Sequence, residues 1–258
     1  MLKRLNRLWR ILATGFCFAF FFGTALAQTL FILPLYSLWL GKSPEKTRKI
    51  RRLQQLNFAC FVKLMEVLGL IRVTLHNSAL LQRSAGCIVI ANHPSLIDVV
   101  ILFARLPEAN CVVKSALWQN WFTRGVMRSA GFISNGSADE LLQGCKQALA
   151  EGQAVLIFPE GSRTIPGQPL QFKRGVANVA VRTGAPLLTA FITCKPLMLT
   201  KGEKWYQVPP SKGHFNVYLQ ETLEPHALIE DFDDKPKAAR LLTDHLEQYF
   251  EEGLKSYD

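Results

Sequence analysis

Cys87-Ile88-Val89-Ile90-Ala91 runs without a break into Asn92-His93-Pro94-Ser95-Leu96-Ile97-Asp98. A short apolar run of this kind fits a strand buried on both faces, as in the middle of a parallel sheet. The polar cluster behind it then falls at a strand end, where α/β sheets collect their ligands. The pattern recurs at Ala154–Ile157, followed by Phe158-Pro159-Glu160-Gly161-Ser162-Arg163, which begins 60 residues after Asp98. A His with an Asp five residues on can form a general base held by a carboxylate, provided the chain turns into a helix between them. Glu160 to Arg163 offer flexible backbone and a guanidinium suited to phosphate or carboxylate. Together the two segments describe a site that deprotonates a hydroxyl and grips an anionic group.

Outward from these segments the pattern alternates in a βα manner. Strands are expected at Val73–His76, Cys87–Ala91, Cys111–Lys114, Gly131–Ser134, Ala154–Phe158, Leu187–Thr193 and Phe215–Leu219. Helices are expected at Leu96–Ala104, Trp118–Ser129, Ala138–Ala150, Gly175–Thr183 and Lys237–Tyr249. Asp139 and Glu140 suit the positive end of their helix, and Gly184 followed by Pro186 ends the next one. The fold class is therefore α/β, a mixed and mostly parallel sheet flanked by helices. Lys201 to Gly213, rich in Lys, Gly and Pro, reads as a mobile surface loop.

The N-terminus is a separate story. Ile11 to Leu40 carries no charged side chain, whereas Lys3, Arg4, Arg7 and Arg10 precede it. Thirty residues exceed the roughly 20 that one spanning helix needs and fall short of two. Lys42, Lys46, Arg48, Lys49, Arg51 and Arg52 follow, so the positive-inside tendency pulls both ends to the cytoplasmic side. Residues 1–42 are thus expected to be a basic and hydrophobic membrane anchor, re-entrant or in-plane. A single span and a signal peptide cleaved after Ala25-Leu26-Ala27 are the competing readings. Residues 43–258 form the catalytic domain, opening with an amphipathic helix over 44–69 that either packs on the domain or lies at a membrane interface.

Charge placement narrows the partners. Of a formal net charge of +10, residues 1–52 hold ten Lys/Arg against Glu45 alone, while residues 53–258 hold 20 basic and 19 acidic side chains. The basicity favours an anionic membrane face over an extended nucleic-acid surface, so no nucleic-acid partner is expected. Six cysteines, never closer than 24 residues, include no Cys-x-x-Cys pair and read as buried reduced thiols. His76, His214, His226 and His245 stand alone, giving a zinc site little support, and no metal is expected. Walker, dinucleotide and Gly-x-Ser-x-Gly motifs do not occur.

At this point the residues resemble the glycerophospholipid acyltransferases, the family that includes the 1-acyl-sn-glycerol-3-phosphate acyltransferases. The likeness runs from about Ile71 to Leu223, in order: the Asn-His-x-x-x-x-Asp block of Asn92 to Asp98, Gly131-Phe132-Ile133, Phe158 to Arg163, Phe172-Lys173-Arg174-Gly175, and Ala185-Pro186-Leu187-Leu188. The resemblance implies that His93 takes the proton of an acceptor hydroxyl as it attacks an acyl thioester, and that Asp98 orients the imidazole. It implies a head-group site made by Glu160, Gly161, Ser162 and Arg163, with Lys173, Arg174 and Lys114 as further anion contacts. Acyl-CoA or acyl-carrier protein is the co-substrate, with no other cofactor. The acceptor is a lysolipid among membrane lipids, most simply 1-acyl-sn-glycerol-3-phosphate giving phosphatidic acid. The place of action is the cytoplasmic face of a bacterial inner membrane.

Two positions depart from the family pattern. Asn135 stands where an Arg is usual after Gly-Phe-Ile, and Ala116 stands where a Glu follows the Lys114 turn. Losing one charged contact costs about 1.5–3 kcal/mol of acceptor binding. Other cations compensate, or the acceptor is a specialised one such as a lyso-aminolipid or a hydroxylated lipid intermediate. A catalytically inactive lipid-binding relative and a hydrolase are the readings from other classes.

Overall fold

The computed structural model describes residues 2–41, 43–119, 124–229 and 232–257. In chain order these form α1 (Leu2–Ala27), a π-helical turn (Gln28–Ile32), α2 (Leu33–Leu40), α3 (Pro44–Val67), β1 (Ile71–His76), β2 (Ile88–Ala91) and α4 (Asp98–Phe103). Then follow β3 (Ala109–Val113), α5 (Ser115–Gln119), α6 (Arg124–Ser129), β4 (Ile133–Ser134), α7 (Ala138–Ala150), β5 (Ala154–Ile157) and α8 (Gly175–Thr183). β6 (Leu187–Lys195), β7 (Gly213–Leu219) and α9 (Lys235–Lys255) complete the chain.

The seven strands make one sheet in the order β1-β7-β6-β2-β5-β3-β4. All neighbours are parallel except β6 and β7, so the two strands at one edge run against the other five. This is the mixed, mostly parallel sheet expected. β2 and β5, the two apolar runs behind the polar motifs, pair directly with each other near its centre and are buried at every position. That adjacency, with Ile88 opposite Val155 and Ile90 opposite Ile157, carries His93 and Glu160 out at the same edge.

Most element boundaries agree with the sequence pattern to within a few residues. The expected helix over Trp118–Ser129 is represented by α5 and α6, and residues 120–123 between them lie outside the described residues. α4 begins two residues later than expected because Pro94 to Ile97 form the turn that brings Asp98 round towards His93. All six cysteines are free thiols, five of them buried.

The apolar N-terminal stretch is helical almost throughout, and its antiparallel partner is α3. Ser43 caps α3 by accepting the Lys46 N–H at 3.2 Å, Pro44 occupies the first turn, and Gly69 at φ +74° ends it. Thr24 donates to Asn57 Oδ1 at 2.9 Å, and Gln54 donates to Gln28. Arg10, 4% exposed, ties α1 to the end of α3 by donating to the carbonyls of Gly69, Leu70 and Pro209. Phe21 packs on Phe61 at 5.0 Å, and Phe58 on Phe103 of α4 at 5.2 Å, so the hairpin shares the domain core. The opposite side of α1 is different. Leu5, Leu8, Leu12, Phe16 and Phe20 recur at helical spacing and are all exposed. Leu2–Tyr36 is long and apolar enough to cross a membrane, by length and composition only.

Candidate active site

β2 ends where a side chain takes over its ladder. Asn92 donates from Nδ2 to the Ile192 carbonyl at 2.8 Å and accepts the Ile192 N–H on Oδ1 at 2.7 Å. The amide thus imitates one more residue of pairing with β6 and sets the point at which the chain leaves the sheet. His93 follows immediately. Its Nδ1 lies 3.0 Å from Asp98 Oδ2, and the same oxygen accepts the Ser95 N–H at 2.6 Å. The Asp98 side chain is wholly buried and that of His93 is 15% exposed, so one partner is locked and the other reachable. Phe158 stacks on the imidazole at 4.3 Å. Burial pushes the Asp98 carboxyl above its ordinary pKa, and the hydrogen bonds from His93 and Ser95 oppose that shift.

Glu160 holds the backbone of His93, a contact that the sequence pattern does not show. Its Oε1 accepts the His93 N–H at 3.0 Å and the Thr164 hydroxyl at 2.7 Å, while Thr164 N–H donates to the His93 carbonyl at 2.8 Å. The loop after β5 therefore clasps the backbone of His93 on both sides. Burial raises the Glu160 carboxyl above its ordinary pKa, and the Thr164 hydroxyl and His93 amide pull it down. Gly161 adopts φ +64°, and a Cβ there would stand 3.1 Å from Lys173 Nζ, so glycine both permits the turn and admits the lysine.

Glu160 also borders a polar cleft of about 890 Å³ whose cations are Lys114, Arg163, Lys173 and Lys201. Gly161 and Ser162 line it too. Arg174 does not: it is exposed at the start of α8, outside the cleft. Arg163 is partly committed, since Nη1 donates to the Leu199 and Thr200 carbonyls at 2.9 and 2.8 Å. Asn135 lines the cleft, and its Oδ1 accepts the Ser115 N–H at 3.0 Å, stabilising the turn at the start of α5.

Lys201 was missed because it lies in the stretch read as a mobile loop. That stretch is irregular but pinned. Leu96 N–H donates to the Leu199 carbonyl at 3.1 Å, Arg163 holds the next carbonyl, and Pro209 and Pro210 accept from Arg10 and Asn6 of α1. Leu199 is buried at φ +54°, a conformation costing roughly 1–3 kcal/mol for such a residue and retained here by the bonds around it. Lys201 Nζ lies 3.3 Å from Ser162 Oγ. Leu96 itself lines a second cavity, about 670 Å³ and almost wholly apolar, which runs along Ile11, Leu12, Gly15, Phe18 and Phe22 of α1 to Trp205.

An imidazole backed by a buried carboxylate, at the carboxyl ends of a parallel sheet and beside a cation-lined cleft, is an arrangement suited to general-base chemistry on an α/β fold. The acyltransferase family model matches residues 72–193 of this chain, from β1 into β6. It is similar to a 1-acyl-sn-glycerol-3-phosphate acyltransferase of Chlamydomonas reinhardtii, 26% identical over 159 residues, covering 59% of this chain and 46% of that protein. A Helicobacter pylori protein of the same name is 32% identical over 100 residues, covering 36% of this chain and 42% of its own length. This chain thus aligns with less than half of either relative. The crystal structure of the 1-acyl-sn-glycerophosphate (LPA) acyltransferase PlsC from Thermotoga maritima superposes with a TM-score of 0.63 over 96% of this chain and 97% of that one, at 18% identity. That likeness establishes the fold.

Proposed function

We propose that this protein transfers a fatty acyl group from an acyl thioester, of coenzyme A or acyl-carrier protein, to the free hydroxyl of a lysophospholipid, with 1-acyl-sn-glycerol-3-phosphate as the acceptor and phosphatidic acid as the product. The observation that carries this is the His93–Asp98 pair, whose backbone is held by Glu160 of a cation-lined cleft and whose turn supplies Leu96 to an apolar groove. With Nδ1–H directed at Asp98, Nε2 keeps its lone pair for the acceptor hydroxyl. That oxygen attacks the thioester carbonyl carbon as its proton passes to Nε2. The tetrahedral intermediate then collapses, the carbon–sulfur bond breaks, and the thiolate leaves with the proton from the imidazolium. As drawn, the transfer is complete with side chains alone and uses neither metal nor cofactor.

Lys114, Arg163, Lys173 and Lys201 would receive the acceptor phosphate. Lys201 offers a cation in the cleft that holds Asn135, which answers the departure seen in the sequence. The groove from Leu96 along α1 would hold acyl chain, and the exposed apolar side of α1 would lie in lipid, with the flanking basic residues at the cytoplasmic face. Glu160 is a positioning residue rather than a head-group ligand. Asn135 also motivates a second reading, in which the acceptor head group is smaller or less charged than a phosphate monoester.

The test is a panel of lysolipids incubated with isotope-labelled acyl thioester and read by mass spectrometry of the lipid products. Labelled phosphatidic acid as the dominant product supports the first reading. Label confined to a different lysolipid points to the second, and label found only in free fatty acid contradicts both.

A further inference from the structure

At the end of the sheet opposite His93, a cavity of about 590 Å³ opens between the start of α3, the end of α6 and the beginnings of β3 and β5. Asn110 lines it at one end of β3, while Lys114, just past the other end, lines the catalytic cleft. Four residues of strand span roughly 13 Å, so the two cavities are separate. The charged lining is Lys46, Arg51 and Arg128 against Glu151.

Arg51 is the residue that needs explaining. It is 9% exposed, and its one hydrogen bond among the described residues runs from Nη1 to Gln153 Oε1 at 2.9 Å. That oxygen is shared with Asn110 Nδ2 at 3.1 Å, and the buried Arg51 Nε has no hydrogen-bond partner among the described residues. Neighbouring carboxylates are engaged elsewhere. Glu108 pairs with Arg48 at 3.3 Å, and Glu151 accepts from Gln147 and Gln153 at 3.0 and 2.6 Å. A guanidinium buried against a neutral amide has no carboxylate in direct contact among the described residues, and Glu108 and Glu151 act on it only through space. The space beside it is open, polar and rimmed by two further cations, half-buried Lys46 and exposed Arg128.

We propose that this cavity is a second anion site, built for a phosphate-bearing ligand and distinct from the catalytic cleft. A phosphate group entering it would supply the direct charged contact Arg51 lacks and meet Lys46 and Arg128 at the rim. The ligand is either the head group of an anionic phospholipid or a soluble phosphate ester. The site stands on its own residues and does not depend on the acyl-transfer reading.

Because the catalytic cleft also attracts phosphate, the test begins from the full-length Lys173→Ala/Lys201→Ala protein, titrated calorimetrically with inorganic pyrophosphate. One saturable site is expected, weakened about tenfold or more by Arg51→Met and by Arg128→Gln. Arg124→Gln, an exposed cation outside the cavity, should leave it unchanged. Flotation with phosphatidylglycerol and phosphatidylcholine vesicles separates the sources. For a lipid ligand, Arg51→Met lowers binding to the phosphatidylglycerol vesicles alone, and pyrophosphate competes. For a soluble ligand, vesicle binding is unaltered while pyrophosphate binding still falls. Absence of a saturable site, or affinity unchanged by both cavity substitutions, overturns the proposal. Should Arg51→Met fail to fold, Arg128→Gln at its exposed position decides.

Discussion

The two cavities nearest the His93 turn are built by opposite means. One, the polar cleft, draws its four cations from three separate loops, and glycine at 161 clears the way for Lys173. The other, the groove at Leu96, is formed by one face of α1 closed by Trp205, and is nearly free of polar surface. A long apolar helix supplies the second kind of surface with no special geometry; the first needs distant segments to converge. The difference teaches where specificity resides. The groove can measure only size, whereas a convergent cleft can reject a ligand that leaves its charges unpaired.

Substitutions can break this comparison at graded strengths. The largest effect is expected for His93→Ala, which removes the proposed base. Turnover should fall on the order of 10²–10⁴-fold or more in a steady-state assay, with membrane association and folding retained. Lys201→Ala and Lys173→Ala address the cleft alone. Each should raise KM for a phosphate-bearing lysolipid about tenfold or more while changing kcat less, in line with roughly 1.5–3 kcal/mol per charged hydrogen bond. Equal losses for an acceptor lacking phosphate would show that the lysines do not read the head group. Trp205→Ala enlarges the groove alone. It should shift chain-length preference towards longer acyl groups by about tenfold, the low end of the roughly 1–3 kcal/mol that a methylene is worth in an apolar pocket.

The smallest effect expected is on stability. Burial raises the Glu160 carboxyl above its ordinary pKa, so its charged form is the less favourable one in the folded protein. Its contribution is present below the ordinary carboxylate range and is lost as pH rises through the raised value. Glu160→Gln keeps an acceptor for the His93 N–H and removes that titration. Its melting temperature should therefore decline less than wild type as pH rises across that window. A parallel decline would mean that Glu160 titrates alike in the folded and unfolded chain.

Much of this was legible in local pattern. The βα alternation, the burial of β2 and β5, and the spacing of His93 and Asp98 need only neighbouring residues to be read. What escaped was contact between distant segments. The Asn92 clasp reaches across 100 residues to Ile192, and Thr164 meets His93 across 71. Neither leaves a trace in periodicity. Lys201 was hidden by composition: a Lys/Gly/Pro-rich stretch looks loose until Arg163 and Leu96 are seen holding its backbone. The reversed β6–β7 pair also has no local signature, because an antiparallel and a parallel buried strand share the same apolar pattern.

Direct acyl transfer is the claim on which both cavities converge, and a single-turnover experiment addresses it. Radiolabelled acyl thioester is mixed with excess protein, quenched at millisecond intervals, and partitioned among protein, lipid and free acid. The account predicts that label moves from thioester to lysolipid without residing on protein, only when lysolipid is present, and that His93→Ala abolishes the transfer. Label accumulating covalently on the chain before it reaches lipid, or undiminished transfer by His93→Ala, would contradict it.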